Sequence, residues 1–427
     1  MPPRMPDSTA FLTDQYELTM LACALADGTA SRRCTFEVFT RGLHGHRYGV
    51  LAGVPRLLDA VSRFRFEDEH LAFLHRVLDP RTLDWLADYQ FRGDIDGYPE
   101  GELYFPGSPV LTVTGSFAET VLLETLVLSV LNHDSAVAAA AARMTTAAGG
   151  RPLVEMGSRR THEEAAVAAA RAAYLGGFHA TSNLAAGLRY GIPTTGTAAH
   201  AFSLVHERET DAFAGQVAAL GTDTTLLVDT YDITQGIATA IKVAGPGLRA
   251  IRIDSGDLGK LTRQARAQLD QLGAPDVQIV VSGDLDEHSI AALRTAPVDS
   301  YGVGTAVVTG SGVPTAGMIY KLVEVDGHPV AKRSASKTTR GGAKSALRRH
   351  DEAGTAVEEV VFLRCQQPQL GPHDRLLPVP LVRAGQFVGR LPTLPESREH
   401  LSTVLAALPP DALRLSAGTP ALRTTFA

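Results

Sequence analysis

Only three cysteines occur in 427 residues, Cys23, Cys34 and Cys365. They are too few and too scattered for a disulfide framework or a zinc knuckle. A basic excess is missing too. Lys plus Arg number 40 against 46 Asp plus Glu, a net charge of −6. That balance argues against a dedicated nucleic-acid binder but leaves room for a local anion site. No apolar run near the N-terminus is long enough for a signal peptide. The greasiest stretch, residues 117–131, is interrupted by Glu119 and Glu124. A membrane helix wants about 20 apolar residues with few charges, so this one reads as a buried core helix. The expectation is a soluble chain in a reducing cytoplasm, with no membrane and no nucleic acid among its partners. HExxH, CxxC, GxSxG and Walker A motifs are all missing, as is any internal repeat. What remains is a 44% apolar chain able to bury a large core in roughly two or three domains.

The first 150 residues read as a mixed α/β segment. CTFEVF (34–39) alternates like a strand, 53–64 carries helical spacing, and 105–114 is strand-like between turn signals. From Pro152 short apolar runs alternate with helical segments. The runs are LVEMG, FHATS, IPTTGT, TLLVDT, RAIRIDSG, QIVVSGD and SYGVGT. Helices are predicted between them at 163–174, 183–190, 209–220, 234–244, 258–272 and 287–295. That alternation means βαβ units and a parallel sheet, with 151–317 forming an irregular, incomplete (β/α) barrel. Residues 318–427 turn β-rich, with a hairpin at Asp326-Gly327, a Gly/Lys/Arg loop at 334–344, a second hairpin at 381–389 and a last helix at 396–408. This tail is expected to pack on the N-terminal segment. The fold class is therefore α/β, a barrel-like domain plus a mixed α+β domain from both chain ends.

Parallel barrels place their chemistry at the C-terminal ends of strands. Here those ends carry Arg159 and Arg160, Gly196, Thr197 and His200, Asp229, Thr230 and Asp232, Asp254 and Asp257, Ser282, Gly283 and Asp284, then Gly302, Gly304 and Thr305. Backbone N–H groups in the Ser282-Gly283 and Gly302-x-Gly304-Thr305 loops can approach a phosphate. A plain turn explains either loop alone. Arg252 and Asp254 lie two apart and share a strand face, as an idle ion pair or a ligand-holding one. The Asp residues suit ribose hydroxyls or a hydrated Mg²⁺. His200 is a packing, surface or catalytic histidine. Arg159 and Arg160 are an anion clamp or a solvated pair. Tyr16 is a core residue or an exposed ring that stacks on a flat ligand.

Eight segments, taken in order, resemble the nicotinate phosphoribosyltransferases, a type II phosphoribosyltransferase family. They are LTDQYELTM (12–20), 36–53, EMGSRR (155–160), GTAAHAF (196–202), LVDTYD (227–232), RIDSGDL (252–258), YGVGT (301–305) and 320–337. The resemblance implies union of nicotinate with 5-phosphoribosyl diphosphate, coupled to ATP hydrolysis and assisted by Mg²⁺, in NAD salvage. It implies that His200 is transiently phosphorylated. Tyr16 would stack on the pyridine ring from the neighbouring subunit of a homodimer. Thr197 and Arg252 would contact nicotinate, with Asp229 and Asp254 near the ribose and ring. Gly302, Gly304 and Thr305, with Ser282 and Gly283, would take phosphate, and Arg159 and Arg160 would line the site. The chain departs from the family at Asn132-His133-Asp134 and at Arg340-Gly341. Nicotinamide as substrate, or a catalytically silent ligand-binding homologue, are the other readings. A Schiff-base aldolase is disfavoured because no lysine stands at a strand end.

Overall fold

The computed structural model describes residues 8–332, 340–366 and 368–427. The larger part of the loop at 334–344 lies outside them. Chain contacts divide the protein into two compact units: residues 1–136 with 315–427, and residues 137–314.

The first unit is built on an antiparallel seven-stranded sheet. Its order is His328–Pro329, Met318–Val325, Arg33–Thr40, Leu111–Ser116, Asp94–Gly97, Val379–Arg383 and Gln386–Phe387. The hairpin turn forms because Asp326 (φ 48°) and Gly327 (φ 76°) both take the left-handed backbone that the primed turn requires. Phe36 and Tyr320 stack on adjacent strands, ring centres 4.7 Å apart, and both are buried. The strand expected at 105–114 begins only at Leu111. Ahead of it, Ser108 Oγ accepts from the Phe105 N–H and folds the chain into a turn.

A second sheet of four strands was not foreseen: Arg375–Leu376, Lys344–His350, Ala356–Leu363 and Arg423–Phe426. Its charged residues hide the alternation. Arg348 is only 1% exposed, held by Glu102 and Glu359 (2.5 and 2.6 Å). The stretch at 117–131 forms two helices, Phe117–Val121 and Glu124–Ala148. Glu119 closes a capping box with Ser116 at the first start. By length and composition 117–148 is apolar enough to cross a membrane, yet 61% of its most apolar window is buried in the protein.

The second unit is an α/β unit around a curled parallel sheet. The order is Ala180–Thr181, Leu153–Glu155, Ser300–Val303, Gln278–Val281, Ala250–Ile253 and Thr225–Leu227. First and last strands in sequence are thus paired, as in a barrel. Among the described residues no ladder joins the second strand to the third. IPTTGT supplies only one bridge, Thr181 to Thr194, because Pro193 has no N–H to donate. The predicted helices are present, among them Glu163–Leu175, Glu209–Leu220, Ile233–Ala244 and Leu258–Gln271. The strands carry fully buried Ile, Val and Leu such as Ile251, Ile253, Ile279 and Val281, with half-buried Val154 and Val280 between them, which is why they read as short apolar runs.

Candidate active site

Two of the rim acids are helix caps. Asp232 accepts from the Gln235 N–H and Asp257 from the Lys260 N–H, which stabilises the helices that follow. The acids left for chemistry stand elsewhere. Arg252 lies on the strand Ala250–Ile253, and its guanidinium is held three ways. Nε donates to Ser282 Oγ at 2.7 Å, Nη1 to Thr197 Oγ1 at 2.9 Å and Nη2 to Asp254 Oδ1 at 2.6 Å. Ser282 also donates to Asp254. Burial alone would raise the Asp254 pKa, but the Ser282 hydrogen bond and the Arg252 charge hold it below the usual value. Asp254 is therefore an anion at neutral pH.

Asp229 ends the neighbouring run and ties the same turn down. Its Oδ2 accepts from the Asp254 N–H at 2.8 Å and from Ser255 Oγ at 3.0 Å. Its Oδ1 is buried with no hydrogen-bond partner. His200 begins a short helix, His200–Leu204. Its Nδ1 is 3.1 Å from Thr230 Oγ1, and its Nε2 is 3.9 Å from Asp254 Oδ2.

A cleft of about 680 Å³ opens beside this group. Arg159, Arg160, Arg252, Asp254, Ser282, Gly283, Gly302, Gly304 and Thr305 all line it. Two glycines are there because a side chain would not fit. A Cβ on Gly302 would lie 2.8 Å from Met156 Sδ, and one on Gly283 (φ 119°) 2.7 Å from the Asp254 carbonyl oxygen. Arg159 and Arg160 are exposed at the lip, on a turn closed by the Arg160 N–H to the Gly157 carbonyl. Thr197, His200 and Asp229 adjoin the cleft through the contacts above.

Tyr16 belongs to the other unit, on the helix Gln15–Asp27. The residue is 45% exposed. Partial burial, then Glu124 and Glu17, push its pKa up to about 12, so it stays a neutral phenol. Two residues without an assigned role in the sequence reading also matter. Thr230 orients His200, and Glu155 is a buried carboxylate at the tip of the first barrel strand. Both sit at strand ends, which was the available signal.

The family model for the nicotinate phosphoribosyltransferase N-terminal domain matches residues 11–132, and that for the quinolinate phosphoribosyl transferase C-terminal domain matches 137–313. A nicotinate phosphoribosyltransferase of Mycobacterium tuberculosis is 61% identical over 99% of this chain and 96% of its own. One of Bacillus subtilis is 37% identical over 80% of this chain and 73% of its own. Among solved structures, human nicotinic acid phosphoribosyltransferase superposes with a TM-score of 0.85 at 27% identity, covering 97% of each chain. Nicotinate-nucleotide pyrophosphorylase from Pyrococcus furiosus gives 0.81 at 25% identity, covering 95% of this chain and 98% of that one.

Proposed function

The chain belongs to the nicotinate phosphoribosyltransferase family, and we propose that the cleft at Arg252 and Asp254 is its catalytic site and that transfer is coupled to ATP hydrolysis. It is a transferase of NAD biosynthesis, acting on nicotinate and 5-phosphoribosyl diphosphate. The pyridine nitrogen attacks C1 of the ribose as the bond from C1 to diphosphate breaks. Nicotinate mononucleotide and diphosphate result. A pyridine nitrogen has no proton to lose, so no base is required and positioning dominates.

The observation that carries this reading is the triple anchoring of Arg252 by Thr197, Ser282 and Asp254. A guanidinium fixed in this way presents a preset cation to the carboxylate of a flat acid. Asp254, with Asp229 behind it, offsets the positive charge that builds on the ribose as diphosphate departs. Gly283 and the loop Gly302 to Thr305 take phosphate oxygens through backbone N–H groups, helped by Arg159 and Arg160; the Ser282 N–H is not among them, because it donates to the Ile253 carbonyl at 3.1 Å.

Magnesium fits here as an ion carried in on the donor's phosphates. Among the described residues no group of three or more His, Cys, Asp or Glu cages a metal, and Mg²⁺ ordinarily takes one or two carboxylates plus substrate phosphates. The unpartnered Oδ1 of Asp229 and the Asp254 carboxylate are the oxygens that would hold it. When bound it offsets charge on the departing diphosphate. His200 is the residue that would accept a phosphoryl group from ATP.

A homodimer that completes the site is part of the same reading. In its support, Tyr16 is exposed on one unit, and Leu184, Leu188, Leu204 and Val205 are 61–91% exposed on the other. Apolar side chains in such number mark an interaction surface. Residues 151–317 are assigned as the catalytic domain and the cytoplasm as the compartment.

Initial rates with nicotinate and with nicotinamide, each with and without ATP, test the reading. Nicotinate should be preferred and ATP should stimulate. A preference for nicotinamide, or indifference to ATP, overturns it. No nucleotide product from either base would leave a ligand-binding homologue.

A further inference from the structure

Glu155 is the last residue of the strand Leu153–Glu155 and is 1% exposed. Both of its carboxylate oxygens accept from neutral donors. Oε1 takes the Gly157 N–H, and Oε2 takes Thr181 Oγ1 at 2.5 Å. Burial pushes its pKa up. A lone carboxylate at such a depth is costly, so the place calls for an explanation.

Its neighbours supply one. Gly157 opens the turn that ends at Arg160, whose N–H closes on the Gly157 carbonyl at 2.8 Å. The same Gly157 packs against the phosphate loop. A Cβ there would meet Val308 Cγ1 at 2.2 Å and the Gly304 carbonyl oxygen at 3.0 Å. On the other side, Thr181 Oγ1 accepts from the Asn183 N–H at 2.9 Å, and Asn183 Nδ2 donates to Ser158 Oγ at 3.0 Å. The second strand has a ladder on one side only, apart from the bridge to Thr194. Glu155 therefore ties the arginine turn, the phosphate loop and the edge of the sheet to one point.

We propose that Glu155 is a positioning residue for the phosphoribosyl donor: it fixes the turn bearing Arg159 and Arg160 against the loop at Gly304 without touching substrate. The inference rests on the cleft being the donor site. It concerns hydrogen-bond geometry and not charge. A glutamine keeps one acceptor for the Gly157 N–H and offers an amide to Thr181 Oγ1, which can accept it. Nicotinate is assigned to Arg252 and Thr197, and the Arg252 guanidinium bonds to Thr197, Ser282 and Asp254, not to Glu155.

Steady-state kinetics with each substrate varied decide the matter. Glu155→Ala should raise KM for 5-phosphoribosyl diphosphate about tenfold and change KM for nicotinate less than about twofold, as expected when a binding turn is displaced. Glu155→Gln should recover most of the loss. Thr181→Val should reproduce the effect and Thr181→Ser should relieve it, and this pair decides if Glu155→Ala does not fold. An unchanged donor KM, an equal rise in both KM values, or a fall in kcat alone overturns the proposal. Arg160→Ala separates the two layers. If it leaves the donor KM unchanged, the reading of the cleft falls. If it raises that KM while Glu155→Ala and Thr181→Val do not, only the role of Glu155 falls.

Discussion

Arg252 and Asp254 are two residues apart, and Nη2 of the first meets Oδ1 of the second at 2.6 Å. The contact spans one side of a single strand end. The Arg252 charge helps hold Asp254 ionised where a half-buried carboxylate would otherwise be costly. The pair is therefore a fixed dipole at the cleft, cation and anion held in contact by strand geometry.

Replacing the cation tests its job. Arg252→Ala should raise KM for nicotinate about 10- to 100-fold, the usual worth of a hydrogen bond to a charged group. The donor KM should move far less. Equal changes in both would assign the arginine to phosphate.

Removing the imidazole separates chemistry from coupling. His200→Ala should abolish stimulation by ATP while some uncoupled transfer survives. Thr230→Val, which takes the hydroxyl from Nδ1, should weaken the stimulation in the same direction. Stimulation that persists in His200→Ala, read from rates with and without ATP, would refute the role.

Small additions to the loops should be as damaging as large ones. Gly302→Ala puts a methyl 2.8 Å from Met156 Sδ and 3.2 Å from Ser282 Cβ. Gly283→Ala adds a strained left-handed φ of 119° to a clash with the Asp254 carbonyl oxygen. The second should lose more activity, because backbone yields less readily than the thioether of a methionine. Measured kcat/KM should fall by about 100-fold for Gly283→Ala, as for a misplacement of about 1 Å in a site.

Stability should hinge on Arg348 in the other unit. Truncating one partner of a buried ion cluster costs about 3–5 kcal/mol, so Arg348→Ala should unfold at markedly lower denaturant. Glu102 shares that cluster. Burial alone would raise its pKa, but His400, Arg348 and Arg375 together hold it far below its ordinary 4.5. A depressed carboxyl contributes stability above that ordinary value and loses it as pH falls below. Thermal melts from about pH 6 down to about pH 3 should show the wild-type Tm falling, with a shallower slope in Arg348→Ala.

How much of this was legible depended on where charge lay. In the second unit the parallel strands are short, apolar-rich runs with one fully buried face, so AIRI, QIVV and SYGV stood out, and the polar residues after them marked the rim. Arg252 and Asp254 could be placed on one face from spacing alone. Which rim acids were caps could not be read, because Asp257 and Asp254 look alike until a helix N–H claims one of them. The sheet containing Arg348 was hidden, since KSALRRH and AVEEVVFL bury ions in places where alternation is expected to bury hydrocarbon. The helix that opens at His200 was too short, five residues, to leave a periodic signature.

The unjoined edge between the second and third barrel strands has a consequence for how the protein works. Residues 182–224 bridge that slit, and Thr197 and His200 ride on them. The ends of this flap of chain are bonded to the sheet, Ser182 to the Glu155 carbonyl and Thr222 and Thr224 to Arg249 and Ala250, but between them the Thr194 bridge is the backbone tie to the strands, whereas the arginine turn and phosphate loop are stitched to closed ladders. A ligand entering the hollow would meet a sparsely laddered wall on the histidine side and a fully laddered one opposite.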